Sequence, residues 1–202
     1  LLHYIYKNSV ILLPFTALPW LIALSARAIR QGGWRYPSLF ALVTLAAGGV
    51  NATSLLLVMI GPLLWVLHSV FVERETTLRK VWPPLLRLGL IPLVTSLWWM
   101  AGLLMQGGYG IDILRYTETY KTVASASTGP EVFRGLGYWF FYGTDALGPW
   151  FKSAVTETQS LPAIFLTFLV PGVAIVAALL TRFRYRVFFV GLAAAGMVIS
   201  IG

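Results

Sequence analysis

Residues 52–72 read ATSLLLVMIGPLLWVLHSVFV, an apolar run without Asp, Glu, Lys or Arg. A helix rises about 1.5 Å per residue, so about 20 such residues cross the ~30 Å hydrocarbon core of a bilayer. The whole chain agrees with this local pattern, because 58% of its residues are hydrophobic and 11% are charged. Soluble domains contain about 25% charged residues. The sequence therefore predicts an all-α integral membrane protein.

Five further apolar segments surround this run and bring the predicted number of transmembrane helices to about six. They are residues 9–26, 37–50, 88–105, 161–181 and 187–202. Only 37–50 and 187–202 are shorter than the roughly 17 residues that a span requires. The first of these two either borrows interfacial residues or dips into the membrane and returns. Because the chain begins at Leu1 and is still apolar at Gly202, we expect residues 1–202 to be a single transmembrane fragment of a larger protein.

Basic residues fall in alternate connections of this six-span arrangement. Lys and Arg concentrate in cytoplasmic loops close to helix ends. The three connections that carry them contain Arg27, Arg30, Arg35, Arg74, Arg79, Lys80, Arg87, Arg182, Arg184 and Arg186. This pattern places these connections in the cytoplasm and residues 106–160 outside, as one long extracytoplasmic loop of a multi-pass cell-membrane protein. Orientation then explains the net charge of +8, and no nucleic-acid partner is expected.

The predicted loop at residues 106–160 is the main candidate for function, because it contains most of the acidic residues of the chain. Charged residues recur every three positions in Asp112–Lys121, which predicts an amphipathic helix on the membrane surface. Residues 122–129 are predicted to be flexible. Thr128–Glu131 has the spacing of a capping box with a proline in the first turn, which predicts a second helix through Tyr142.

Charged and aromatic side chains of this loop are the candidate substrate-binding residues, namely Arg115, Glu118, Lys121, Arg134, Trp139, Tyr142 and Asp145. A carboxylate could act as a general base, and the planar guanidinium of Arg134 beside the aromatic run could hold a phosphate. The alternatives are structural: a solvated row of charges at Asp112–Lys121, a turn-capping Asp145, and rings that anchor the chain at the interface. No metal site is predicted, because His3 and His68 are placed on opposite sides of the membrane.

Three strings in the chain resemble a known family. They are GGVNATSLLLVMIGPLLWVLH at Gly48–His68, WWMAGLLMQGGYGIDIL at Trp98–Leu114 and EVFRGLGYWFFYGTDALGPW at Glu131–Trp150. Together they resemble the large actinobacterial membrane arabinofuranosyltransferases that add α-(1→3)-linked branches to cell-wall arabinan. The resemblance spans most of the chain and depends on specific strings rather than on hydropathy.

The resemblance implies a GT-C-type glycosyltransferase with its active site on the outer face, a polyprenyl-phosphate-linked arabinofuranose donor and an arabinan acceptor. It also implies an essential acidic residue in the first outer loop, which we expect to precede Leu1. Neither a catalytic residue nor a cofactor is therefore assigned to this chain. A multi-span transporter or flippase-like module and a non-catalytic anchor of a larger extracytoplasmic domain are the alternatives. The transporter alternative is weakened by the lack of ionisable groups in the middle of the predicted spans.

Overall fold

The structure is a computed structural model that describes residues 2–49, 51–111 and 118–201, with side chains from residue 12 onward. It is 79% helical, which confirms the predicted all-α class. The chain divides into two compact units, Leu2–Ile113 and Leu114–Gly202.

Helices that follow the apolar segments make up the first unit. They are α1 (Leu2–Gln31), α2 (Arg35–Gly48), α3 (Ala52–Leu67) and α4 (Leu78–Tyr109), and α3 continues as a π-helical turn at His68–Val72. The start of α3 has a local cause. The side-chain Oδ1 of Asn51 accepts a hydrogen bond from the Ser54 backbone N–H at 2.8 Å, which satisfies one of the free donors at a helix N-terminus.

The core of the first unit lies where α1 packs along α2 and α3, and where α2 packs against α4. It consists of Ala17, Leu21, Leu24, Ala28, Phe40, Ala47 and Leu88. Lipid tails are as apolar as these side chains, so membrane helices are held together by close van der Waals packing rather than by the hydrophobic effect. The small side chains of Ala17, Ala28 and Ala47 let the helices approach, and the fully buried Leu21 fills the space between them.

The second unit begins with short elements and ends with two longer helices. They are α5 (Tyr120–Ala126), α6 (Gly129–Phe133), a 3₁₀ turn (Trp139–Phe141), strands β1 (Thr144–Asp145) and β2 (Gly148–Pro149), α7 (Lys152–Gln159), α8 (Leu161–Leu180) and α9 (Arg186–Ser200). The two strands form an antiparallel hairpin in which Thr144 pairs with Pro149 and Asp145 with Gly148.

Four described helices are long and apolar enough to cross a membrane. They cover Leu12–Gln31, Ala52–Val72, Leu78–Tyr109 and Leu161–Leu180, and each overlaps one of the four full-length predicted segments. The predicted count of about six is not confirmed. With 14 and 15 residues, α2 and α9 reach only about 21–23 Å at 1.5 Å per residue, less than the ~30 Å of a bilayer core.

The predicted interfacial helix at Asp112–Lys121 is wrong at its C-terminal end. Residues 112–117, which include Asp112 and Arg115, lie outside the described part of the chain. Glu118 and Thr119 are not helical, and α5 begins at Tyr120 and runs through residues predicted to be flexible. The reason is local: the Thr119 hydroxyl accepts a hydrogen bond from the Thr122 backbone N–H at 3.3 Å, which makes Thr119 the N-cap.

The predicted second helix through Tyr142 is also wrong in extent. It begins as expected after Thr128, although the Thr128 side chain makes no capping bond, and it ends at Phe133. Gly135 has φ +78°, a conformation that glycine adopts without steric cost. Its N–H donates to the Val132 carbonyl and the Leu136 N–H donates to the Glu131 carbonyl. These two bonds form a Schellman motif, which terminates the helix.

Candidate functional site

Glu131 accepts three hydrogen bonds on one carboxylate oxygen in the second unit. Arg134 donates to Oε2 from Nε at 3.0 Å and from Nη2 at 2.7 Å, and the Tyr142 hydroxyl donates to the same atom. The first two contacts follow from the position of both residues on consecutive turns of α6 and its cap. The third depends on the chain returning through the 3₁₀ turn. Glu131 therefore connects α6 to the aromatic segment that follows it.

Arg134 also connects α6 to the later helices of the unit. Its Nη1 donates to the Glu157 carbonyl of α7 at 2.8 Å and to the Thr167 hydroxyl of α8 at 3.4 Å. The carbonyl lies in the last turn of α7, where backbone oxygens lack helical partners and the helix dipole favours a cation. Only 2% of the Arg134 side chain is exposed. Four of the five guanidinium N–H donors thus have protein acceptors, and the burial of the side chain shields the fifth from a phosphate in solution.

Tyr142 is half-exposed and is held in its neutral form by this network. Burial of its hydroxyl raises the pKa of Tyr142 above its ordinary value, and the hydrogen bond and negative charge of Glu131 add to the increase. The charge of Arg134 acts in the opposite direction but is the smaller effect. The hydroxyl therefore remains a hydrogen-bond donor at physiological pH and cannot act as a phenolate base.

An aromatic cluster, defined here as Tyr138, Trp139, Phe140, Phe141, Trp150 and Phe151, surrounds this network. Trp139 and Trp150 meet edge to face with ring centroids 5.7 Å apart, and Phe141 stacks on Phe151 at 5.6 Å. Phe141 and Phe151 are buried, whereas Trp150 is 44% exposed. The cluster thus has an inner side that packs the unit and an outer side on which an apolar sugar face could stack.

The predicted binding residues of this unit are in different environments. Glu118 and Lys121 are exposed. Asp145 is exposed and its Oδ1 accepts a hydrogen bond from the Leu147 backbone N–H at 2.7 Å, which is the turn-capping arrangement considered as its structural alternative. The structure brings Arg134 and Tyr142 together through Glu131, a residue outside the predicted set. The sequence contained one signal for this contact: Glu131 and Arg134 are three residues apart, a spacing that makes side chains neighbours on a helix.

A groove of about 590 Å³ lies between α2, α3 and α4 in the first unit. Its lining is almost entirely apolar and includes Phe40, Thr44, Leu55, Met59, Leu88, Gly89, Pro92, Leu93, Ser96, Trp99 and Leu103. Along α4 the lining runs from Leu88 to Leu104, which is about 24 Å at 1.5 Å per residue. This length and lining fit a hydrocarbon chain rather than a polar metabolite.

A second, more polar pocket of about 510 Å³ adjoins the groove, with which it shares Ala52, Trp99 and Leu103. Its polar side chains are Asn51, Gln106 and the two indoles of Trp98 and Trp99. Trp99 Nε1, in a residue that lines both pockets, and the hydroxyl of Thr44, which lines the groove, are buried and make no hydrogen bond within the described part of the chain. An unpaired buried donor or acceptor costs about 1–3 kcal/mol, so this junction is suited to a ligand with a polar group.

Only three-dimensional structure reveals this pair of pockets, which the predicted site residues did not include. Asn51 and the Trp98-Trp99 pair are conspicuous in the sequence, but they are far apart along the chain and meet only because α2 and α4 pack together. No cluster of three or more His, Cys, Asp or Glu side chains able to hold a metal ion occurs among the described residues.

Long apolar helices define a helical integral-membrane protein, and its described residues form an apolar groove beside a more polar pocket. Comparison with protein families makes the assignment specific. The family described as "Alpha-(1->3)-arabinofuranosyltransferase, N-terminal GT-C domain" matches residues 1–202, and the chain belongs to this family of membrane glycosyltransferases. The resemblance inferred from the three sequence strings is thereby confirmed. No curated protein and no solved structure matches the chain significantly.

Proposed function

We propose that this chain forms part of an enzyme that transfers arabinofuranose from a polyprenyl-phosphate donor to cell-wall arabinan on the outer face of the membrane. The observation that supports the donor class is the continuity of the apolar groove with the polar pocket. Such a shape suits a ligand that carries a long isoprenoid chain at one end and a sugar at the other.

The isoprenoid chain lies in the groove in this proposal. Branched isoprene units make van der Waals contacts with leucine, methionine and aromatic side chains, and Leu55, Met59 and Leu93 supply such surfaces. The groove is in a segment that we assign to the bilayer, so the chain would enter sideways from the lipid without crossing water. This explains why an apolar cleft of this size remains unfilled by side chains.

The arabinofuranose lies in the polar pocket. Sugar hydroxyls both donate and accept hydrogen bonds, which matches the amides of Asn51 and Gln106 and the donor Nε1 of Trp99. These lining residues carry no charge. The phosphate is therefore expected outside the pocket, where cations supplied by other segments stabilise the charge that develops as the glycosidic bond breaks.

Exposed residues of the second unit are proposed to contact the polar substrates. Glu118, Lys121 and Asp145 are accessible, and Trp139 and Tyr142 lie at or beside the outer side of the aromatic cluster; Arg115 belongs to the same proposed set. Arg134 is proposed to act by holding this surface in place, because its buried guanidinium already binds Glu131 and the end of α7. The catalytic base remains unassigned.

The proposed topology has about six crossings, with α2 and α9 completed by interfacial residues, and residues 106–160 outside. In the first unit the basic residues cluster at the ends Gln31, Arg35 and Leu78 of α1, α2 and α4, whereas the polar pocket lies at the opposite ends of α2 and α4. If the basic end is cytoplasmic, the polar pocket opens toward the outer face. That is the side on which the acceptor would be found.

A substitution that narrows the groove tests whether the groove holds the isoprenoid chain. Gly89 lines the groove and has open space where a side chain would extend, so Gly89→Leu in the full-length enzyme should obstruct the isoprenoid chain. Gly107→Leu is the matched control, because Gly107 lies on the same helix, also has open space, and does not line the groove. Transfer kinetics would be measured with donors that carry a long or a short isoprenoid chain.

We expect Gly89→Leu to raise KM for the long-chain donor about tenfold, as steric conflicts in a packed site cost about 1–3 kcal/mol, with little effect on the short-chain donor. Gly107→Leu should behave as wild type with both donors. Equal kinetics of the two variants with the long-chain donor would reject the groove as the isoprenoid site. Donor transport across vesicles without any arabinosyl transfer would instead favour the transporter alternative.

A further inference from the structure

The connection between α1 and α2 carries two exposed arginines on one aromatic ring. The Cζ atom of Arg27 lies 5.9 Å from the centroid of the Tyr36 ring, and that of Arg35 lies 5.7 Å from the same centroid. The Tyr36 hydroxyl donates to Gln31 Oε1 at 2.9 Å, which fixes the ring across the turn. Both guanidinium groups therefore lie within 6 Å of the centroid of one ring, and the hydrogen bond to Gln31 restricts the rotation of that ring.

Arg87 of α4 reinforces the same turn. Its Nη1 donates to the Gly33 carbonyl at 3.0 Å, and its Cζ lies 4.7 Å from the centroid of the Trp34 ring. A cation this close to an aromatic face is attracted by the ring quadrupole. The indole of Trp34 is 62% exposed. Arg87 therefore binds both the backbone of the turn and an exposed ring beside it.

Arg27 and Arg35 differ from the neighbouring Arg30 in having no carboxylate partner among the described residues. Arg30 is only three residues from Arg27, and it donates to both carboxylate oxygens of Glu75 at 3.0 and 3.1 Å. No described carboxylate lies within ion-pair distance of Arg27 or Arg35. Residues 27–87 contain seven Lys and Arg but only Glu73 and Glu75 as acids. Arg27 and Arg35 are therefore two exposed cations whose charge is not neutralised by any carboxylate of the described residues.

We propose that Arg27, Arg35 and Tyr36, supported by Arg87 and Trp34, form a binding site for the phosphate headgroup of an anionic phospholipid. The planar guanidinium forms two parallel hydrogen bonds to phosphate oxygens, and it is more weakly hydrated than an ammonium group. This site is at the opposite end of α2 from the polar pocket and is independent of the donor site proposed above.

The source of the phosphate is a membrane lipid because of where the site lies. It is at the end of α1, a helix long enough to span the bilayer. Trp34 and Trp82 are exposed at this end of the first unit, and tryptophan prefers the headgroup region of a bilayer. Basic residues at this level attract anionic lipids by about 1 kcal/mol each. The lipid is favoured over a soluble phosphate because its headgroup is already concentrated at the membrane surface, where the site lies.

Lipid binding to the full-length protein in detergent tests the proposal. Native mass spectrometry would count bound phosphatidylglycerol and phosphatidylcholine on the wild type, on Arg27→Gln/Arg35→Gln and on Arg79→Gln/Lys80→Gln. The last variant is the matched control, because it removes the same charge from exposed positions near the start of α4 without touching the Tyr36 ring. A competition arm would add inorganic phosphate.

We expect the wild type to retain phosphatidylglycerol in preference to phosphatidylcholine. The affinity of Arg27→Gln/Arg35→Gln should be about tenfold lower than that of the control variant, because the control loses only the general attraction of surface charge for anionic lipid. Equal losses of phosphatidylglycerol affinity in the two variants would show that general surface charge explains the binding, and would overturn the proposed site. Complete displacement by millimolar inorganic phosphate would overturn the lipid as ligand.

A measurement on the wild type alone covers the case in which the double variant does not fold. A phosphatidylglycerol analogue with a photoreactive headgroup would be crosslinked to the protein in vesicles, and the modified peptide identified. Adducts within residues 27–36 support the site. Adducts confined to residues 74–80 contradict it.

Discussion

Arg134 donates two hydrogen bonds to a single carboxylate oxygen of Glu131, from Nε at 3.0 Å and from Nη2 at 2.7 Å. The remaining nitrogen binds the last turn of α7. A cation that looks in the sequence like a free ligand for phosphate is, in the folded unit, the centre of an internal network. Its contacts therefore hold α6, α7 and α8 together.

Loss of Arg134 should destabilise the full-length protein. Removing one partner of a buried ion pair costs about 3–5 kcal/mol, and because Glu131 keeps access to water we expect about 2–4 kcal/mol for Arg134→Ala. Arg134→Lys should recover part of this, since an ammonium group cannot reach all three acceptors. Unfolding midpoints would be measured against Lys121→Ala, an exposed control expected within about 0.5 kcal/mol of wild type. An Arg134→Ala protein of wild-type stability that has lost transfer would instead indicate direct phosphate contact.

Tyr142 should make stability depend on alkaline pH. The pKa of Tyr142 is raised by burial and by Glu131 above its ordinary value of 10.0, so the unfolded chain loses this proton at a lower pH than the folded one. The contribution is complete below about pH 10 and is lost as pH rises from there toward the folded-state pKa. We expect the melting temperature of Tyr142→Phe to fall less steeply above about pH 10 than that of wild type. Tyr120→Phe, at an exposed ring, should keep the wild-type steepness; identical profiles for all three proteins would contradict the network.

Gly143 should not tolerate a side chain. A Cβ at this position would overlap the ring of Trp150, whose backbone N–H donates to the Gly143 carbonyl at 3.0 Å. We expect Gly143→Ala to lower the unfolding free energy by about 1–3 kcal/mol by displacing the indole. Gly129→Ala is the control, because nothing lies within 4 Å of a Cβ there. If the two alanine variants melt together, the hairpin is not packed against Trp150 as described.

The proposed orientation can be read by single-cysteine labelling in intact cells. The chain contains no cysteine, so Ser125→Cys and Thr77→Cys, both at exposed positions, introduce one thiol each into a cysteine-free background of the full-length protein. An impermeant maleimide should label Ser125→Cys before lysis and Thr77→Cys only after the membrane is opened. The reverse order of labelling would place residues 106–160 in the cytoplasm and exclude the proposed topology.

The sequence by itself determined the membrane class, the four full-length spans and several local boundaries. Hydropathy is a sum over neighbouring residues, so a run such as Ala52–Val72 specifies its environment without reference to the rest of the chain. The same is true of the start of α6 after Thr128.

Tertiary structure alone decided how the second unit is held together and where an amphiphile could bind. Helical periodicity favoured one helix through Tyr142, but a left-handed Gly135 ends α6 early, and this break lets Tyr142 return to Glu131. Arg134 reaches Glu157 and Thr167, 23 and 33 residues away along the chain. The groove likewise exists only where α2, α3 and α4 pack. Contacts of this kind depend on which distant residues folding brings within a few ångströms, and no local pattern of residues encodes that distance.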